Sequence, residues 1–405
     1  MAAVLPLPPL SPARLVWVTL ALSLATFMQV LDTTIANVAI PTISGHFGAS
    51  TSQGTWVITS FGVANAIAVP ITGWLAKRVG EVRLFLLSTL GFVVSSWLCG
   101  VAWNLEMLIV CRVLQGALAG PMIPLSQSLL LGSYPPERKG MALALWSITV
   151  IVAPIFGPIL GSYLQVSFGW RAAFVAHALV GLMVWFGAVR HMTESNAQPN
   201  PRAMALGELG KAYGEVFRSM GFWAYALPGA LSYASIFVFI SGASFVLIKV
   251  LNVATEHYGY MFSLGVLGYL SGTLICRRLL NSHGMQGVLR LGTTVGLLGG
   301  IGFLALILAD IRHWFVVVAA LFVVMVAHGI NIPCTQSGSL APFPEKAGAA
   351  AALFGFVMMV VALIAGIVVS KNLDASLIPF ASISATVAVL LFLSTRMLAR
   401  HAASL

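Results

Sequence analysis

The sequence predicts an all-α polytopic membrane protein with twelve transmembrane helices in two six-helix halves. Three observations predict it. Charged residues make up 8% of the 405 residues and hydrophobic residues 59%, whereas a soluble domain carries roughly 25% charge. The apolar residues fall into long runs, each near the roughly 20 residues that cross a bilayer. The basic residues then alternate between the two sides as membrane topology requires.

Taken in order, helices are predicted at about 15–40, 56–76, 84–103, 105–131, 141–165 and 170–190, forming a first bundle over 1–190. A polar stretch over 191–220, with Asn196, Gln198, Pro199, Asn200 and Pro201, reads as a cytoplasmic linker. Six more runs, at about 222–249, 257–280, 288–309, 313–337, 346–370 and 375–398, form a second bundle over 221–405. With the N-terminus inside, the inside segments hold 16 of the 21 Lys and Arg, including Arg202 and Arg400, and the outside segments hold four: Arg171, Lys249, Arg312 and Lys371. That bias places both termini in the cytoplasm. It also assigns the net charge of +10 to membrane topology, so no nucleic-acid partner is expected. The N-terminal stretch is proline-rich and lacks the basic start and small-residue cleavage site of a signal peptide.

The two halves carry a weak internal repeat. The run from Tyr134 through Lys139 into a helix resembles the run from Phe343 through Lys346, and Gly73 to Gly80 has a degraded counterpart in Gly272 to Gly284. Parallel repeats of six helices with a site at their interface are a transporter plan. The four cysteines, Cys99, Cys111, Cys276 and Cys334, are far apart in sequence. They show no metal-ligand spacing, so neither a disulfide framework nor a metal site is expected.

One acid lies deep in a span. Asp32 sits within the first helix, whereas Glu106, Glu256, Asp310 and Asp374 sit at predicted helix ends. An intramembrane carboxylate is costly and reads as functional. The low dielectric disfavours its charge, so it can gain and lose a proton as its surroundings change. Arg112 in the fourth helix is its natural partner. Asp32 is eight residues inward from Ile40 and Arg112 eight inward from Asn104, so at 1.5 Å per residue both lie about 12 Å below the outer boundary. Gln115 follows Arg112 by one turn and shares its face. These three are the proton-coupling candidates. Gln29, Asn37, Gln127, Tyr233, Phe237 and Asn331 are candidates for lining a substrate cavity. His177 and His328 fall within spans, where a hydrogen-bonded structural role is the plainer expectation.

Several segments resemble the major facilitator superfamily, specifically its drug:proton antiporters. Gly73, Lys77, Arg78, Gly80 and Arg83 are similar to the motif between helices two and three. Arg112, Gln115 and Gly116 are similar to the fourth-helix motif, and Pro154, Gly157, Pro158 and Gly161 to the fifth-helix antiporter motif. Asp32 with Thr34, Asn37 and Pro41 looks like the first-helix motif of the EmrB/QacA group. From Phe168 to Phe174 onward, through Ser241 to Val246 and Leu340 to Leu353, the chain looks instead like the Bcr/CflA group, so it reads as a hybrid joined near 160–170. It departs from the usual loop motif, which has Asp where Lys77 stands and basic residues where Glu81 and Val82 stand. It also departs from the fourteen spans usual in the EmrB/QacA group.

The resemblance implies export of hydrophobic or amphipathic toxic compounds across the bacterial inner membrane. The export is driven by the proton gradient without a cofactor, and by alternating access of the two halves. It implies that Arg78 and Arg83 latch the cytoplasmic side. EmrB relatives work with a periplasmic adaptor; the second half of this chain departs from that group, so the resemblance leaves an adaptor open as a partner. Two other readings stay open: a transport-incompetent hybrid or accessory membrane subunit, and a proton-independent facilitator. A membrane-embedded enzyme would need clustered acids or histidines, and the spans hold one deep acid and no ligand pair.

Overall fold

The structure, a computed structural model, describes residues 11–135, 138–193, 206–343, 346–373 and 376–397. The linker residues Asn196 to Pro201 with Arg202, the Pro136–Glu137 and Pro344–Glu345 pairs of the repeated loops, Asp374 and Arg400 lie outside them. Among the described residues the regular structure is helical. The spans are α1 (Pro12–His46), α2 (Trp56–Val79), α3 (Glu81–Gly100), α4 (Leu105–Ser133), α5 (Lys139–Phe168) and α6 (Arg171–His191). They continue with α7 (Met220–Ser244, extended by a π-helical turn Phe245–Val250), α8 and α9 within Thr255–Leu308, α10 (Trp314–Leu340), α11 (Ala347–Asn372) and α12 (Ile378–Met397).

The segment Thr255–Leu308 has 54 residues. As one helix it would run about 81 Å, far beyond a hydrocarbon core of about 30 Å. Gly284 breaks it at φ 64° and ψ 171°, a left-handed φ that only glycine adopts without strain. The result is two spans, 255–283 and 285–308, and twelve in all.

The same device joins α2 to α3. The predicted loop over 77–83 shrinks to the single residue Gly80, at φ 103°. Lys77 and Arg78 are good helix formers, and their charges suit a helix C-terminus, so the helix runs on until glycine stops it. The internal repeat thus has a structural meaning, because Gly80 and Gly284 are equivalent breaks in the two halves. α4 runs on through Gly120 and Pro121, both with right-handed helical backbone.

The linker is more than a polar tether. Residues Leu206–Arg218 form a strongly amphipathic helix. Val216 is fully buried against Phe222, Ala350 and Phe354, and Tyr213 donates from Oη to the Pro70 carbonyl of α2 at 2.7 Å. Burial pushes the Tyr213 phenol up from its ordinary value, so it remains a donor. Lys346 pairs with Glu215 at the same end of the molecule. Tyr213 and Val216 share one helix face, a periodicity easily missed in a stretch of mixed polarity.

The first six spans pack mainly on one another, as do the last six, and the two sets meet where α5 touches α8, α2 touches α11 and α1 touches α7. Glycines set these approaches. A Cβ on Gly259 of α8 would sit 2.4 Å from the Pro158 carbonyl oxygen of α5. Ser263 of α8 donates to the carbonyl of Ile155, between the two α5 prolines, at 2.5 Å. Further along the seam, Phe237 of α7 packs with Ala36 and Ile40 of α1, Ile58 of α2 and Ala362 of α11.

Candidate functional site

A fully buried ion pair lies within the first six spans. Arg112 Nη1 lies 2.5 Å from Asp32 Oδ2, with both side chains at most 1% exposed. The same Nη1 donates to Gln115 Oε1 at 2.6 Å, and Gln115 Nε2 donates to Asp32 Oδ1 at 3.3 Å and to Ser96 Oγ at 2.6 Å. Arg112 Nε donates to the Val57 carbonyl at 2.8 Å. The guanidinium lies over the Phe61 ring, 4.3 Å from its centroid, with Phe174 at 5.7 Å. A charge so far from water needs such partners, since an unpaired one would cost several kcal/mol.

Local sequence explains why these groups meet. Equal depth on α1 and α4 brings Asp32 and Arg112 to one level. Gly116 and Gly120 then let α4 press against α2. A Cβ at Gly116 would lie 2.2 Å from the Phe61 carbonyl oxygen, and one at Gly120 2.5 Å from Ala68 Cβ. That approach brings the Val57 carbonyl and the Phe61 ring within reach of the guanidinium. Ser96, Val57, Phe61 and Phe174 are contributors the sequence reading missed. Ser96 alone left a trace, as a polar residue in an apolar span.

The antiporter-like segment of α5 braces the same level. A Cβ at Gly157 would strike Thr34 Oγ1 at 2.0 Å, and one at Gly161 would lie 3.1 Å from Ile35 Cα. Both contacts fall just beyond Asp32 on α1. Pro154 and Pro158 flank Gly157 within one continuous helix. Of the gate motif, Gly73 is exposed with open space around it, Lys77 and Arg83 are exposed, and the Arg78 guanidinium stacks over Trp74 of its own helix at 4.3 Å. Glu81 accepts from Ser128 Oγ at 3.1 Å.

The substrate-cavity candidates separate. Gln29 and Asn37 are buried on α1, and their side-chain carbonyl oxygens have no hydrogen-bond partner among the described residues. Tyr233 and Phe237 lie at the seam between the halves. Gln127 is exposed on α4, whereas its neighbour Ser126 is fully buried. Ser126 follows Gln115 by 11 residues, about three helical turns, and so inherits the inward face. Asn331 is fully buried inside the second half beside Gly292, where it donates from Nδ2 to Ser232 Oγ at 3.4 Å. Trp146 of α5, which donates from Nε1 to Thr26 Oγ1 of α1 at 3.0 Å, went unsingled in the sequence. His177 is held by its own helix, with Nδ1 2.7 Å from the Ala173 carbonyl oxygen.

The Major Facilitator Superfamily model matches residues 22–367. The chain belongs to the Major Facilitator Superfamily. It is 70% identical over 177 residues to a multidrug export protein, EmrB, of Haemophilus influenzae, a match covering 44% of this chain and 35% of that protein. It is 66% identical over 176 residues to EmrB of Escherichia coli, covering 44% and 34% respectively. The chain therefore spans about a third of the length of these curated relatives. A solved peptide transporter in complex with sulfate superposes with a TM-score of 0.76 at 15% identity, covering 95% of each chain. As a member of this superfamily the chain is a multi-pass membrane transporter, and its Asp32–Arg112 pair is enclosed by residues of the first six spans.

Proposed function

We propose that this transporter exports small hydrophobic or amphipathic toxic compounds across the bacterial inner membrane in exchange for protons. The observation that carries the reading is the ion pair of Asp32 with Arg112, buried at the level where α5 braces α1 and near where α5 meets α8. The relatives named as multidrug export proteins support the substrate class.

In this arrangement the Asp32 carboxylate balances the Arg112 guanidinium. A proton arriving on Asp32 removes the negative charge and leaves Arg112 to Gln115 and the Val57 carbonyl. The attraction that pins α1 to α4 then weakens, and α1 is free to shift against α5. Because α5 contacts both α1 and α8, such a shift reaches the other half directly. In alternating access, 1–190 and 221–405 rock as units about the seam while the helix within the 191–220 linker spans it on the cytoplasmic side, with both termini cytoplasmic. Proton binding from outside favours release of the compound there, and proton loss toward the inside readies the site again.

The test is uptake into inverted vesicles under an imposed pH gradient, with a panel of lipophilic cations and neutral apolar drugs. The wild type is expected to accumulate at least one compound only when the gradient is present. Asp32→Asn keeps the size and hydrogen-bonding shape but cannot cycle a proton, and is expected to abolish gradient-driven uptake. Uptake independent of both gradient and Asp32 would instead mark a proton-independent facilitator. A folded wild-type protein that moves nothing would mark a transport-incompetent hybrid or accessory subunit.

A further inference from the structure

A cavity of about 470 Å³ opens between the two halves, at the end of the molecule away from the linker helix. Pro41, Thr42 and His46 at the end of α1 form one wall. Ile248 and Lys249 of the π-helical turn and Thr255 at the start of α8 form the other. The volume falls within the roughly 300–1,000 Å³ of small-molecule sites, against about 30 Å³ for one water. The cavity is separate from the Asp32–Arg112 pair, which is sealed inside the first half.

Its walls carry charge of one sign. Lys249 is the one formal charge among the lining residues, and it has no ion-pair partner among the described residues. Glu256, next to Thr255, is exposed and stands outside the lining. Arg171 Nη1 of α6 lies 3.3 Å from His46 Nε2, so a second cation stands directly behind the first wall. Thr42 and Thr255 add hydroxyls, which can donate, and Pro41 and Ile248 add apolar surface. Gln165 Nε2 of α5 donates to Thr42 Oγ1 at 2.6 Å, which holds the α1 wall from behind. The opposite wall departs from α-helical winding. The Leu251 amide bonds the Val246 carbonyl, five residues back, at 2.9 Å, and the Val253 amide bonds the Leu247 carbonyl at 2.9 Å. Single π-helical turns are rare and occur frequently at functional sites, and this one carries Ile248 and Lys249 into the cavity wall.

We propose that this cavity binds apolar compounds that carry an anionic head, a carboxylate or a phosphate. The head sits at Lys249 and the threonine hydroxyls, and the apolar body lies against Pro41 and Ile248. A recess lined by one sign of charge concentrates the opposite sign. The volume calls for a body as well as a head, since a bare inorganic anion would leave most of it to water. Because the walls belong to different halves, an occupant bridges them and favours the relative position in which it fits. The site goes beyond the export reading, since it lies apart from Asp32 and its occupancy requires neither a proton nor net transport. A lysine that merely reached from a helix end to the membrane boundary would take no part in such binding.

Three probes with one bicyclic body test it: naphthoate, an anion; naphthamide, neutral; and naphthylmethylammonium, a cation. Each is measured by equilibrium dialysis against the full chain in phosphatidylcholine nanodiscs, with empty discs subtracted. The wild type is expected to bind naphthoate about two- to fivefold more tightly than naphthamide, the span of a solvent-screened ion pair, and to bind the cation least. Raised salt should shrink that preference. Lys249→Gln should erase it and leave naphthamide binding unchanged, and Lys249→Arg should keep it. Gly45 also lines the cavity, and a Cβ there meets nothing within 4 Å. Gly45→Leu therefore fills space without a backbone clash and should weaken naphthoate and naphthamide alike. Discs containing phosphatidylglycerol separate the two sources of an anionic head. Loss of both naphthoate and naphthamide there assigns the cavity to a lipid phosphate, and retention assigns it to a free solute; either result supports the proposal. Equal binding of naphthoate and naphthamide by the wild type overturns it. So does a preference that survives Lys249→Gln, or binding unmoved by Gly45→Leu, which places the probes elsewhere. No pH gradient enters the measurement, so its failure is distinct from a failure of the Asp32→Asn transport test.

Discussion

The two halves bury polar chemistry of opposite kinds behind similar packing. In the first six spans the buried polar contact at Asp32 is an ion pair, with Arg112 at 2.5 Å. In the second six it is a neutral chain, from Asn331 through Ser232 to His328. Both rest on glycine-mediated helix contacts: Gly116 of α4 against the Phe61 carbonyl, and Gly329 of α10 against the Tyr269 carbonyl. The comparison teaches that close helix approach is the shared scaffold and the polar group it carries is free to differ. A charge pair suits a site whose charge must change, because losing one partner alters the electrostatics of the whole neighbourhood.

Substitutions that treat the halves unequally should sharpen this contrast. The largest effect is expected from Arg112→Leu, which strands the Asp32 carboxylate in a buried site and should cost about 3–5 kcal/mol in unfolding in mixed micelles. The double change Arg112→Leu with Asp32→Leu should recover most of that loss, since an apolar pair leaves no buried charge. A double variant as unstable as the single one would mean that packing, and not charge, dominates the site. Next come the glycines. Gly116→Val and Gly329→Val each drive side-chain carbon into a backbone carbonyl and should cost about 1–3 kcal/mol each. Similar melting-temperature losses are expected in the two halves, and a large inequality would break the idea of a common scaffold.

Smaller again is Ser232→Ala, which interrupts a neutral chain and should cost about 1 kcal/mol, well below Arg112→Leu. The smallest is Glu215→Gln. Its partner Lys346 is 39% exposed and Glu215 61% exposed, so solvent screens the pair and the change should move stability by less than about 1 kcal/mol. A larger shift in the same unfolding assay would show that the linker helix holds the halves together more strongly than its exposed charges imply.

Much of the site was legible because depth along a helix is simple arithmetic. Eight residues inward on α1 and on α4 gave Asp32 and Arg112 a common level, and the ion pair follows once the helices are adjacent. Rotational position was harder to read. Gln127 was expected to line a cavity, but it lies one residue, about 100°, past the position that shares the face of Gln115, and Ser126 occupies that position. Asn331 is polar in an apolar span, as expected of a cavity residue, but it faces α9 and not the seam. The loops expected at 77–83 and 281–287 are helical but for one positive-φ glycine in each, Gly80 and Gly284, a break that apolar run lengths do not reveal.

Composition, the spacing of apolar runs and the bias of Lys and Arg fixed the class of molecule, the number of crossings and the one deep acid. Each depends only on the free energy of a side chain at a given depth in the bilayer. The Val57 carbonyl on Arg112, the meeting of His328 with Ser232, the bracing of α5 between α1 and α8 and the bridge from Tyr213 to Pro70 came from the fold. Each requires two segments far apart in the chain to reach within about 3 Å, and local patterning carries no record of which helices will be neighbours.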